Sequence, residues 1–307
     1  MTWAALAFGL LLAVVLLPFI AEVRRRPVDD EMRARAPGHF AELPRGLTYY
    51  RWTGPVGGPV AVCVHGLTTP SFVFDAIAEE LARNGWRVLV YDLYGRGLSD
   101  RPEGRQVRGF FIRQLQDLLD HEGVRRDFTL VGYSMGGAIA TCYAAIDPAR
   151  LNRLVLIAPA GMGGFPSGLY RWMRDLPALG DWLIRAVFPR QFRAAARALH
   201  RDLGASREVA EAQARQVDLR GFVPAVMSSL RGILGETLET EHRRIAQKGL
   251  PVLAVWASRD QSIPLECMGT LTRWNRDARH VQVELAGHWL PITHPDDVVA
   301  AIQAHGT

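Results

Sequence analysis

The chain has 307 residues, enough for one large α/β domain carrying an insertion or for two smaller domains, and its 49% hydrophobic content suits a packed core. Its 36 lysines and arginines exceed the 31 acids for a net charge of +5, but the two signs interleave along the chain. With no helix-turn-helix, zinc or RNA-binding signature beside it, that excess does not describe a nucleic-acid binder; Cys63, Cys142 and Cys267 lack metal-ligand spacing and read as buried thiols in a reducing compartment.

Residues 2–21, TWAALAFGLLLAVVLLPFIA, carry no charged side chain. At ~1.5 Å per helical residue they reach the ~30 Å needed to cross a bilayer. A secretory signal would put its positive charges before the apolar run, whereas here Arg24, Arg25 and Arg26 follow it. The pattern therefore predicts an uncleaved single-pass anchor with everything after it in the cytoplasm. Pro18 is tolerable near the end of such a helix. Residues 22–46, charged and punctuated by prolines, read as a juxtamembrane linker.

From residue 47 the pattern changes to short apolar runs alternating with helical stretches. Predicted strands are LTYYRWT, PVAVCVH, RVLVYDL, FTLVGY, RLVLIAP, PVLAVWA and HVQVEL, with helices over FDAIAEELARNG and FFIRQLQDLLDHEG between them. Continuous Val/Leu/Ile runs separated by helices predict a mostly parallel sheet covered on both faces. The alternation stops across residues 161–248, which hold helix-like segments and no strand, so they read as a helical cap between a first core part, 47–160, and a second, 249–307. The first half of that insertion mixes Trp172, Met173, Trp182, Leu183, Phe188 and Phe192 with arginines, a combination suited to helix packing with a basic face toward water or anionic headgroups.

Within this frame, LVGYSMGGAIA sets Ser134 between Gly132, Gly136 and Gly137, at the junction of a β-rich run and a good helix former. A tight strand-to-helix turn of this kind exposes a serine hydroxyl and needs small neighbours for the helix to pass close to the strand. A hydroxyl is a poor nucleophile without a base, and histidine is suited to that task when a carboxylate fixes its tautomer. Asp260 follows the run VLAVWA, and His288 follows VQVEL. The order Ser134, Asp260, His288 supplies nucleophile, acid and base from successive strand ends. His294, at a helix start, reads as capping or packing and His65 as bracing its loop, while Asp92 also follows a strand and is a competing acid.

Four signatures in order, VHGLTTPS, YDLYGRGLSD, GYSMGG and AGHWLPITHP, resemble the α/β-hydrolase superfamily over nearly all of residues 47–307. The resemblance implies an oxyanion hole from the Leu67 and Met135 N–H groups, with His65 and Gly66 shaping the loop, and a structural part for Asp92. A serine at this position sets the chain apart from the dehalogenase and epoxide-hydrolase branches. The layout is similar to membrane-anchored monoacylglycerol lipases and related lysolipid esterases, which implies a hydrophobic ester as substrate; with no phosphate loop, dinucleotide fingerprint or metal-ligand cluster in the sequence, no cofactor or metal is expected. Carbon–carbon bond hydrolases, which often carry asparagine where Tyr133 stands, acyltransferases or perhydrolases, and a non-catalytic scaffold are the alternatives. Tyr133, Trp172, Met173, Trp182 and Phe188 are the candidates for the acyl pocket.

Overall fold

The computed structural model describes residues 2–163 and 168–305. The chain opens with α1 (Thr2–Val23) and the short α2 (Asp30–Ala34). There follow β1 (His39–Leu43), β2 (Gly46–Thr53), β3 (Val60–Val64), α3 (Asp75–Arg83), β4 (Arg87–Tyr91), α4 (Arg108–His121), β5 (Phe128–Tyr133), α5 (Met135–Ile146) and β6 (Leu151–Ile157). Between β6 and the next strand stand α6 (Gly168–Asp175), α7 (Pro177–Leu203), α8 (Arg207–Arg215), α9 (Phe222–Arg231) and α10 (Glu239–Gln247). The chain closes with β7 (Val252–Ala257), α11 (Glu266–Trp274), β8 (Arg279–Val283), α12 (Leu290–Thr293) and α13 (Pro295–Ala304).

The described residues form one eight-stranded sheet in the order β1-β2-β4-β3-β5-β6-β7-β8. The β1–β2 and β2–β4 pairs are antiparallel, and all others are parallel. The parallel strands are apolar on both faces because both are covered. In β3, Ala61 and Cys63 point into a layer completed by Phe74, Ile77 and Leu81 around α3 and by Val298, Val299 and Ile302 of α13. Val62 and Val64 point the other way, toward Phe111 and Leu115 of α4 and Ile139 and Tyr143 of α5. The second layer runs on without a break into Phe188, Phe222, Val226 and Leu230, so cap and sheet bury each other's apolar surface, at ~1.5–3 kcal/mol for each large side chain removed from water.

All seven strands expected from the sequence form, and an eighth, β1, lies inside residues 22–46, where a linker was expected. HFAEL is short and flanked by Pro37 and Pro44, so its alternation is easily missed, but it pairs along its whole length with β2. The rest of that segment is docked as well. Arg26 forms a strand-like bridge to Leu219, Glu22 is buried and accepts from the Gly221 N–H at 2.8 Å, and Arg33 pairs with Asp100. Five helices, α6–α10, stand between β6 and β7 among the described residues, and residues 164–167 of the span 161–248 lie outside them. The span Trp3–Val23 of α1 is long and apolar enough to cross a membrane and is not buried in the protein.

Candidate active site

β5 ends at Tyr133 and α5 begins at Met135, so Ser134 alone makes the turn, with φ 53° and ψ −117°. A non-glycine residue there stores strain that the neighbouring packing must hold. The flanking glycines allow that packing. A Cβ on Gly132 would lie 2.4 Å from the Gly136 carbonyl oxygen, and one on Gly136 would lie 2.0 Å from the Val64 oxygen. The turn is tied down by the Ser134 N–H to Ile157 and by the Ser134 carbonyl, which accepts from Gly137 and Ala160.

The structure brings Ser134, His288 and Asp260 together from three strand ends. Ser134 Oγ lies 3.0 Å from His288 Nε2, and His288 Nδ1 lies 2.7 Å from Asp260 Oδ2. Because a carboxylate only accepts, the Nδ1 proton faces Asp260 and leaves the Nε2 lone pair for the serine hydroxyl. The other carboxylate oxygen, Oδ1, accepts from the Ser262 and Ile263 N–H groups at 2.7 and 2.8 Å. Asp260 is thus buried, oriented and charge-stabilised while facing the ring. The Tyr133 hydroxyl donates to the His288 carbonyl at 2.8 Å and its ring lies 5.3 Å from the imidazole, which fixes the loop that carries the histidine.

His65 has both nitrogens engaged, Nδ1 with the Gly66 carbonyl at 2.8 Å and Nε2 with the Leu93 N–H at 2.9 Å. Burial, helped by the nearby Arg96 cation, pulls its pKa down to about 3, so it stays neutral and braces the loop that carries Leu67. Asp92 accepts from the Ser71 and Leu98 N–H groups and is buried beneath the next loop. His294 stands at the start of α13 but makes no side-chain cap; its ring meets the Thr293 hydroxyl instead.

A cavity of about 430 Å³ opens over Ser134 and His288. Leu67, Tyr170, Phe188, Phe192, Val226 and Leu230 give it an apolar wall, and Tyr133 and Gly66 lie near its floor. Of the cap residues expected there, Phe188 lines it, whereas three are placed elsewhere. Trp172 is 65% exposed, Met173 is fully buried in the cap core, and Trp182 points to α1. Helical spacing marks an apolar face, but which of two neighbours that face meets depends on the path of the cap. A larger cavity of about 600 Å³ lies between α2 and α8; its Arg26 and Arg51 are already paired with Asp29 and Asp75.

The sequence did not single out Arg96, in the run YDLYGRGLSD. It is fully buried, and among the described residues it has no carboxylate partner. Its guanidinium donates to the Leu67 carbonyl at 3.0 Å, the Tyr94 carbonyl at 3.1 Å, Ser229 Oγ at 2.8 Å, the Ala225 carbonyl at 3.3 Å and Gln106 Oε1. One side chain therefore ties the Leu67 loop to α9 of the cap. Burial, with the Arg101 charge behind it, lowers its pKa to about 9, which still leaves it a cation at neutral pH. The available signal was a charge inside a glycine-rich, apolar loop.

A family model described as alpha/beta hydrolase fold matches residues 59–295. Lipase 1 of Psychrobacter immobilis is 26% identical over 263 residues, covering 78% of this chain and 74% of the lipase. A 2-hydroxymuconate semialdehyde hydrolase of Pseudomonas putida is 28% identical over 216 residues, covering 68% of this chain and 73% of that protein. The dihydrolipoyllysine-residue acetyltransferase component of the acetoin cleaving system of Cupriavidus necator is 28% identical over 251 residues, and this chain spans 62% of its length. Among solved structures, a hydrolase from Pseudomonas aeruginosa superposes with a TM-score of 0.73 at 22% identity, over 88% of this chain and 98% of the other. A membrane phospholipase A described as a novel bacterial virulence factor superposes with a TM-score of 0.72 at 22% identity, over 99% of this chain and 98% of the other, α1 included. The match over residues 59–295, together with the parallel sheet and its strand-to-helix serine turn, makes the chain a member of the alpha/beta hydrolase fold family.

Proposed function

We propose that the protein is a serine hydrolase that cleaves a hydrophobic carboxylic ester, a monoacylglycerol or similar lipid ester, while α1 anchors it to a membrane with the catalytic part on the cytoplasmic side. The observation that carries this reading is the 3.0 Å and 2.7 Å relay from Ser134 through His288 to Asp260 beneath an apolar cavity. Ser134 Oγ attacks the ester carbonyl carbon as its proton passes to His288 Nε2, and Asp260 stabilises the imidazolium that forms. The N–H groups of Leu67 and Met135 receive the oxyanion. Collapse of the tetrahedral adduct expels the alcohol, which takes the proton from His288. Water, deprotonated by the same histidine, then attacks the acyl-Ser134 carbonyl and releases the acid.

The likeness to Lipase 1 supports an ester, and the apolar cap residues 161–248 around the cavity fit an acyl chain. The docking of residues 22–26 against the cap fits an anchor that is retained. The likeness to the 2-hydroxymuconate semialdehyde hydrolase favours carbon–carbon cleavage as a second reading. Labelling with a fluorophosphonate, followed by turnover of monoacylglycerols and of a vinylogous diketone by wild type and Ser134→Ala, separates the two. The expected outcome is labelling and monoacylglycerol hydrolysis in wild type, both lost in Ser134→Ala, with the diketone untouched. Labelling that survives in Ser134→Ala removes the nucleophile assignment.

A further inference from the structure

α1 contains Pro18, and a proline has no N–H to return to the carbonyl four residues earlier. The carbonyl so orphaned is that of Val14. It is met from outside the helix, where the Trp182 indole Nε1–H, on α7, donates to Val14 O at 3.0 Å. One turn nearer the globular part, the Arg185 guanidinium lies 4.9 Å from the centre of the Phe19 ring, and at the end of α1 Glu22 accepts from the Gly221 N–H at 2.8 Å. The anchor is therefore fixed to the cap at three levels.

This fixed geometry sets a depth. Only residues 2–13 of α1 project beyond the Val14 contact, and twelve helical residues span about 18 Å against a hydrocarbon layer of ~30 Å. With the cap docked, a helix that crosses the bilayer must carry part of the cap into the near leaflet. The part beside it is suited to that place. Trp172 and Leu179, at the corner between α6 and α7, are 65% and 52% exposed, and Trp182 stands next to them. Tryptophan favours the headgroup boundary, while exposed Arg171 of α6, which also faces Asp175 at 3.6 Å, and exposed Arg190, two turns beyond Trp182 on α7, can reach lipid phosphates from an interfacial position. The same α7 carries Phe188 and Phe192, which wall the cavity over Ser134.

We propose that the α6–α7 corner of the cap is a second lipid-contacting surface, latched at a fixed depth by the Val14–Trp182 bond, so that the cavity takes its substrate from the leaflet. This rests on α1 being a membrane anchor, as proposed above.

The test is site-directed spin labelling of the full chain in phosphatidylcholine–phosphatidylglycerol vesicles, with Cys267→Ser to leave only the buried Cys63 and Cys142. Labels are placed at Leu11→Cys on α1, Leu179→Cys on the corner, and Val56→Cys on the β2–β3 turn. The expected result is that the labels at positions 11 and 179 collide with oxygen and are shielded from a water-soluble nickel chelate, with the reverse at position 56. Immersion at 11 with nickel access at 179 overturns the lipid-contacting surface and leaves the anchor standing; nickel access at 11 removes the anchor reading and this proposal with it. Shielding of 179 from both probes means that a second copy covers the corner, and overturns it too. In Pro18→Ala the restored N–H recaptures the Val14 carbonyl. The label at 179 should then move toward water, and hydrolysis of a long-chain monoacylglycerol in vesicles should fall about fivefold while that of a short soluble ester stays within twofold. Unchanged depth and vesicle activity in Pro18→Ala overturn the latch.

Discussion

The groups of the proposed site have their geometry set by the hydrogen bonds around them. Asp260 is held by two N–H groups, His288 by its own carbonyl's bond to Tyr133, and Leu67 by Arg96. Arg96 is the unusual member, because a fully buried guanidinium normally has a carboxylate to offset its desolvation. Here carbonyls and a hydroxyl do so, and the result is a rigid support for the loop whose N–H is proposed to meet the oxyanion. Arg96→Lys keeps the charge but loses the planar fork. Misplacing a catalytic group by about 1 Å can cost ~10²-fold, so kcat should fall by about that factor with KM little changed. Affinity for a trifluoromethyl ketone, which forms the tetrahedral adduct, should fall in parallel with kcat, in protein whose thermal unfolding shows it folded. An unchanged affinity for that inhibitor would leave Arg96 with a purely structural part. Asp260→Asn removes the acceptor that fixes the His288 tautomer, and by the precedent of other serine triads it should reduce turnover by ~10⁴-fold.

Among the elements, α10 carries a feature that packing alone does not reward. His242 is fully buried, stacked at 5.9 Å on Trp274 of α11, and neither ring nitrogen has a hydrogen-bond partner among the described residues. Burial lowers its pKa to about 4, so the folded protein resists protonating it, while the unfolded chain takes up the proton near pH 6.5. His65, lowered to about 3, behaves in the same sense. The unfolded state therefore binds more protons in the window from about 6.5 down to about 4, and stability is full above that window and lost as pH falls through it. The slope from each histidine approaches ~1.4 kcal/mol per pH unit. His242→Leu should raise the melting temperature at pH 5 by more than at pH 8, which calorimetry at the two pH values will measure. An equal shift at both would remove the titration argument. The same packing logic governs α7, whose faces divide between α1 and the cavity. Phe188→Ala should shift the preferred acyl chain length because the side chain walls the cavity, each substrate methylene buried being worth ~0.8 kcal/mol. Trp172→Ala, outside that wall, should leave the chain-length profile of kcat/KM in detergent micelles unchanged.

For the whole molecule, the sheet, its two covered faces and the positions of Ser134, Asp260 and His288 after their strands were legible in the residues, since apolar periodicity and glycine-flanked turns are local signals. So was a helix long and apolar enough for a membrane. What sequence reasoning missed is non-local. β1 needs its partner β2 to count as a strand, Arg96 needs its five acceptors to read as a support rather than a surface charge, and Trp182 needs α1 beside it to be drawn away from the cavity. Pro18 shows the division within one residue. The sequence alone determines that the Val14 carbonyl loses its helical donor, because proline has no N–H anywhere it stands. Only the tertiary structure decides that a tryptophan 168 positions away in the chain supplies the missing bond, because that choice follows from how the cap folds back over the sheet and where it lays α7 against α1.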